Sequence, residues 1–374
     1  MSEREPRLEK SRTVDSKFQL GLEVKPVVGT LDSLNPTLTF PDQPNIAIEV
    51  PVVHDMEYAS VSQLEATRRN VVQLLDKVCD ILESNTLEDQ IRNQALDRLF
   101  LELNQFRTRV TPNEWMDLKY EHILTHRLTT LLHLDPCTRR SYEKPRGYAG
   151  DAKLLDYLYK NFYGDQYGVL ERGFLEYVTD RPAGYAVRER LKIIANILDQ
   201  VTSKKEKSRV LSIASGHSRE LEYAQNIDRI QEFVAVDQDS RSLEFVKQSR
   251  FSSMVTPIQD SFVSLIQQKH EYIGKFDCVY ASGLFDYLSD KLAIKLVQYM
   301  FSVLNPGGTL LVTNFTPASE DIGYMETFMD WNLIYRSFDQ MEGLAVRVNS
   351  DQIQEKKVFR GKNRNIVYLQ IEKA

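Results

Sequence analysis

Two stretches of this 374-residue chain carry residue types and spacings suited to chemistry. The first is Arg209-Val210-Leu211-Ser212-Ile213-Ala214-Ser215-Gly216-His217-Ser218-Arg219-Glu220, an apolar strand running into a loop of small residues that should open a helix. Such a loop directs backbone N–H groups, and the helix directs its positive end, toward a ligand. The strand Phe233-Val234-Ala235-Val236 follows and ends in Asp237, about twenty residues after Gly216, where a carboxylate accepts both hydroxyl protons of a ribose. The second stretch is Lys144-Pro145-Arg146-Gly147-Tyr148-Ala149-Gly150-Asp151. It is loop-like and lies in a tyrosine-rich stretch, Cys137–Arg188, which reads as a linker with chemistry in it.

The elements that must position these residues differ along the chain. Residues 1–57 hold many of the prolines and no sustained period, which implies a mostly irregular tail in which Ile46–Val53 could still add an edge strand. From Ser60 to Leu134 the period is helical, with Leu64, Val71, Leu74, Leu75 and Val78 on one stripe and Ile91, Leu96, Leu99 and Leu103 on another. Thr111-Pro112-Asn113-Glu114 matches a capping box and starts a third helix. A helix over Tyr185–Leu198, apolar at Leu191, Ile194 and Ile197, leads into the final part. There, the strands Arg209–Ile213, Glu232–Val236, Phe276–Ala281 and Thr309–Asn314 alternate with helical segments, so the sheet is parallel and covered on both faces. Segments near Ala345–Val348 and Asn365–Glu372 close its far edge. The expected organisation is a tail (1–57), a helical cap or substrate region (58–184) and a cofactor-binding domain (185–374).

Composition narrows the partners. A formal net charge of -6 and the lack of a long Lys/Arg block argue against nucleic acid. Cys79, Cys137 and Cys278 form no CxxC pair, and no apolar run is long enough to span a bilayer. A cytoplasmic protein without integral membrane contact, acting on a small molecule, is expected. Oligomeric state is not readable.

From Tyr185 onward the chain resembles class I S-adenosylmethionine-dependent methyltransferases. Their acidic-x-G-x-G-x-G loop corresponds here to Ser212, Ala214, Gly216 and Ser218 at the acidic and three glycine positions. Ile258-Gln259-Asp260-Ser261-Phe262, Phe276–Leu288 and Leu304-Asn305-Pro306-Gly307-Gly308-Thr309 come in the family's order. The resemblance implies an α/β fold, a Rossmann-like seven-stranded methyltransferase sheet with an N-terminal helical cap region. It also implies S-adenosyl-L-methionine as cofactor, held by Ala214, Ser215, Gly216, Asp237, Gln238, Asp260, Ser261, Phe262, Ala281 and Ser282. A dinucleotide-dependent hydride-transfer enzyme is the competitor, but a pyrophosphate needs the close backbone approach that three glycines permit.

Lys144–Tyr159 and Phe328-Met329-Asp330-Trp331-Asn332-Leu333-Ile334-Tyr335-Arg336 further resemble bacterial methyltransferase-like proteins labelled 3-hydroxypalmitic acid methyl ester biosynthesis. That likeness implies the carboxylate of a hydroxy fatty acid as acceptor, nucleophilic without a general base. Arg146, Tyr148, Tyr287 and Asn314 are the catalytic candidates. Azetidine-forming S-adenosylmethionine cyclases share the architecture; in that reaction Asn314, with Tyr280 or Ser282, would accept from the α-amine. A binding protein that performs no chemistry is the third possibility. Plainer roles stand beside these: Asp151 as a helix cap, Arg146 in an ordinary ion pair, His217 as a loop residue rather than a base, and Phe328–Arg336 as core rather than lid. His122 and His126, four apart on the third helix, lack a third metal ligand, and no metal is expected.

Overall fold

The computed structural model describes residues 61–84, 89–160, 167–267 and 274–374. The tail expectation for 1–57 lies outside them. The helical part opens with α1 (Val61–Glu83) and α2 (Asp89–Arg109), which bury Val71, Leu74, Leu75 and Val78 together with Leu96, Leu99 and Leu103. The capping box forms as the sequence predicts. Thr111 Oγ1 accepts from the Glu114 N–H at 3.3 Å, the Glu114 carboxylate accepts from the Thr111 N–H at 2.8 Å, and Pro112 starts α3 (Pro112–Asp117).

That third helix is shorter than expected, because it passes into one π-helical turn, Leu118–Ile123. His126 therefore leaves the helix that carries His122. It caps α4 (Arg127–Leu132), its ring accepting from the Leu128 N–H at 3.1 Å. No group of acidic, His and Cys side chains suited to a metal occurs among the described residues.

Next come α5 (Pro136–Glu143), α6 (Ala152–Leu158), α7 (Val169–Thr179) and α8 (Pro182–Lys204). Proline begins α5 and α8, where the missing N–H is one the helix would leave unbonded anyway.

The remainder is the expected doubly wound sheet. Its strands are β1 (Ser208–Ile213), β2 (Ile230–Asp237), β3 (Val255–Gln259), β4 (Phe276–Ala281), β5 (Leu304–Phe315), β6 (Ile353–Arg360) and β7 (Ile366–Lys373). They lie in the order β3-β2-β1-β4-β5-β7-β6, the first five parallel and β7 antiparallel to both neighbours. Helices α9 (Ser240–Lys247), α10 (Phe262–Ile266), α11 (Asp290–Ser302), α12 (Ile322–Glu326) and α13 (Phe338–Gly343) complete the chain.

One expectation at the far edge needs correction. Ala345–Val348 is a turn, and the edge strand is β6, whose Gln354, Glu355, Lys356 and Lys357 are exposed. A charged edge resists pairing with other chains and carries no apolar run to betray it. The Pro306-Gly307-Gly308 turn is a bulge within β5: Phe276 pairs with Leu304 but Cys278 with Thr309. Gly307 has φ +73°, and a Cβ on Gly308 would lie 2.9 Å from the Asn305 carbonyl oxygen.

Alternate residues of the central strands feed two cores, as period-two geometry dictates. Val210, Phe233, Tyr280 and Leu311 pack with the helical part, while Leu211, Val234, Val279 and Leu310 pack with α11. The cap and one sheet face thus share a single core. The order reverses at β1, between β2 and β4, and in such sheets a ligand crevice opens at the carboxyl ends of those strands. No helix among the described residues is long and apolar enough to cross a membrane.

Candidate functional site

The loop after β1 occupies that crevice. Ala214, Gly216 and Ser218 have φ of +54°, +53° and +48°. These are the three glycine positions of the motif, so the left-handed backbone persists where two of the glycines do not. For Ala214 and Ser218 that conformation costs roughly 1–2 kcal/mol each.

The surroundings hold the loop in this shape. Ser215 N donates to the Val236 carbonyl at 3.1 Å, and Gly216 N to Asp237 Oδ2 at 2.7 Å. Asp239 N donates to Asp237 Oδ1 at 2.8 Å, and Asp260 N to the Asp237 carbonyl at 3.1 Å. Asp237 is 5% exposed, and burial holds its carboxyl above the usual carboxylate range. The helix expected directly after the loop does not form: Arg219–Glu222 is a single 3-10 turn. The macrodipole expected there is absent, leaving the loop's own N–H groups as donors.

The cap grips the loop from the other side. A Cβ on Gly216 would stand 3.3 Å from Ala152 Cβ of α6. Fully buried Asp156, also on α6, accepts from His217 Nδ1 and Arg219 Nε, both at 2.7 Å. His217 stacks on Phe245 with centroids 4.1 Å apart. Sequence reasoning missed Asp156, which looks like any polar residue of a short helix.

Other predicted cofactor residues share this end of the sheet. Gln238 is exposed just after β2, Asp260 accepts from the Ser261 N–H at 2.6 Å, and Ser261 caps α10, which Phe262 begins. Ala281 is buried at the end of β4, and Ser282 comes next. A cavity of about 40 Å³ beside the loop is lined by Tyr159, Ser215, Gly216, Tyr280 and Ser282, among others. Buried polar atoms normally find partners, yet Ser215 Oγ and His217 Nε2, both on cavity-lining residues, have none. Such orphans fit a polar ligand.

The four catalytic candidates divide. Arg146 Nη1 donates to Asp239 Oδ2 at 2.6 Å and Ser242 Oγ at 3.0 Å, which places it in an ion pair at the end of β2. Asn314 is fully buried; it donates to the carbonyls of Phe315 and Ile334 and accepts from Arg336 Nη1 at 2.6 Å, which ties it to the Ile334–Arg336 segment.

Tyr148 faces Asp237 and Asp239, and its burial beside them pushes its hydroxyl well above the usual range. Tyr287 Oη accepts from Trp331 Nε1 at 2.7 Å. Gly150 fits between those two rings: a Cβ there would come within 2.8 Å of Tyr287 Oη and 2.6 Å of Trp331. Asp151 is a cap, accepting from the Leu154 N–H and a bidentate Arg140. The 144–151 segment therefore spans from the end of β2 to the Tyr287–Trp331 pair. Trp331 is 6% exposed and belongs to the core as well as to this wall.

A second cavity, about 30 Å³ and mostly apolar, lies between cap and sheet against Phe100, Leu158, Val187, Phe315 and Trp331.

No protein-family model matches the chain, and no curated protein does. Solved structures do align. A possible exported protein from Bordetella parapertussis is 16% identical, with 84% of this chain and 99% of that one covered at a TM-score of 0.49. The N-methyltransferase NodS from Bradyrhizobium japonicum, in complex with S-adenosyl-L-homocysteine, is 15% identical over 63% of this chain and 98% of its own, with a TM-score of 0.38. Magnesium protoporphyrin IX methyltransferase from Synechocystis, with bound S-adenosylmethionine, is 10% identical over 52% and 84%, with a TM-score of 0.37. These values are too low to assign chemistry, so the site stands on its own residues.

Proposed function

We propose that the chain is an S-adenosylmethionine-dependent methyltransferase acting on a small-molecule acceptor. The observation that carries this is the loop at Ala214, Gly216 and Ser218, left-handed at all three glycine positions and tied to the buried Asp237 carboxylate. In this assignment Asp237 receives the ribose hydroxyls, Asp260, Ser261 and Phe262 flank the adenine, and the loop N–H groups, Ala281 and Ser282 hold the amino-acid end. The bound cofactor supplies a methyl group on a sulfonium, which needs only an aligned nucleophile. Tyr287, Trp331 and Gly150 then wall the acceptor side and keep water out.

The 58–184 region would shape the acceptor pocket and 185–374 hold the cofactor. The hydroxy fatty acid whose carboxylate the sequence suggests is one acceptor of this class; the apolar cavity of about 30 Å³ against Phe315 and Trp331 admits only a short apolar group.

The test is incubation with S-adenosylmethionine, with and without 3-hydroxy fatty acids, and then mass spectrometry. S-adenosylhomocysteine that forms only when acceptor is added is the expected product. Methylthioadenosine released without acceptor contradicts methyl transfer.

A further inference from the structure

The Tyr185–Leu198 helix predicted from sequence is apolar at Ile194 and Ile197, and Arg190 falls on the same stripe, four and seven residues earlier. In α8 it is 2% exposed. Its Nε has no partner, and no carboxylate oxygen stands within 4.0 Å of its nitrogens among the described residues. An isolated buried guanidinium is costly, since buried charges are ordinarily paired.

The group stands at the crevice. A Cβ on Gly283, just after β4, would lie 3.4 Å from Arg190 Nη1 and 3.5 Å from Nη2, and the buried Tyr159 hydroxyl lies close enough to feel its charge. Tyr159 and Ser282, the residue before Gly283, line the cavity beside the cofactor loop. One turn earlier on α8, Val187 lines the apolar cavity, as does Leu158, which precedes Tyr159. Arg190 thus lies between residues that line the one cavity and residues that line the other.

Glu220 and Asp286 feel its charge but make no ion-pair contact with it. Glu220 accepts from the Tyr280 hydroxyl and Asp286 Oδ1 from the Phe315 N–H. Both carboxyls are held above their usual range by burial.

We propose that Arg190, with Tyr159, is the receptor for a carboxylate group of a ligand bound in this crevice. A single fixed guanidinium among tyrosines and acids offers one positive charge in a planar fork, which matches a carboxylate monoanion rather than a phosphate dianion. The carboxylate has two possible sources, the amino-acid end of the cofactor or an acceptor acid with an apolar body. The first source rests on the cofactor assignment above; the second does not.

The test compares full-length wild type with Arg190→Met and Arg190→Lys. Binding is titrated for S-adenosylhomocysteine, for methylthioadenosine, which lacks the carboxylate, and for decanoate against decanol; Tm is read without ligand. If the cofactor supplies the carboxylate, Arg190→Met weakens S-adenosylhomocysteine by about 10- to 100-fold and leaves methylthioadenosine unchanged. If the acceptor does, S-adenosylhomocysteine is unchanged and the preference for decanoate over decanol disappears. In either case ligand-free Arg190→Met is as stable as wild type or more so, because an unpaired buried charge has been removed, and Arg190→Lys keeps part of the affinity. Wild-type affinities retained in Arg190→Met for every probe overturn the proposal. So does a Tm fall of more than about 5 °C with all probes weakened equally, which marks a structural arginine. Should wild type bind neither nucleoside, the cofactor assignment fails and the decanoate pair alone decides for or against Arg190.

Discussion

Ala214 and Gly216 make opposite predictions from the same backbone geometry. Ala214→Gly relieves a left-handed alanine and should stabilise the protein by about 1 kcal/mol while keeping ligand affinity. Gly216→Ala adds strain where the new Cβ would press on Ala152, and should cost roughly 1–2 kcal/mol with weakened binding. Thermal denaturation checks both; destabilisation by Ala214→Gly would mean that the loop is not held as described.

Asp286 provides a titration test, because burial pushes its carboxyl up to about 6, above the value of about 3.9 expected in the unfolded chain. Folded protein then binds more protons than unfolded protein between those values, so this group makes stability fall as pH rises from about 4 to about 6. Asp286→Asn cannot ionise, and its stability relative to wild type should grow across that window by about 1–3 kcal/mol. A difference that stays flat with pH would contradict the buried, charge-disfavouring setting.

Among elements, α6 grips the loop after β1 through one carboxylate. Asp156→Ala would strand both the His217 ring and the Arg219 guanidinium and should cost about 3 kcal/mol, with weaker nucleoside binding, in urea denaturation and titration. An unchanged midpoint would show the contact to be idle.

The difference between α6 and the sheet also explains what is legible in the sequence. Strands β1, β2, β4 and β5 are buried on both faces and read as continuous apolar runs, so their order, and the loop and Asp237 at their ends, can be read directly. The edge strand β6 is charged and carries no such signal, which is why Ala345–Val348 is the more attractive choice from sequence. Contacts such as Asp156 with His217, or Asn314 with Arg336, join residues far apart in the chain, and no local pattern encodes them. Arg190 alone leaves a trace, a charge on an apolar stripe.

At the scale of the molecule, the described residues from Val61 on form one compact unit, with Val210, Phe233, Tyr280 and Leu311 packed against the helical cap. A fragment from Pro182 to Ala374 would keep α8 but expose the apolar surface that α1 to α7 share with it in this core, each large apolar side chain forfeiting about 1.5–3 kcal/mol, and should lack a cooperative thermal transition. A sharp transition would mean that the sheet stands without its cap.

The central claim is that the crevice between β1, β2 and β4 holds S-adenosylmethionine by its loop and Asp237. Calorimetric titration of S-adenosylhomocysteine into wild type, Asp237→Asn and Asp237→Ala tests it most directly. Saturable one-to-one binding by wild type, weakened at least about 10-fold in both variants, is the predicted result. Absence of heat with folded wild-type protein, or affinity indifferent to Asp237, would contradict it.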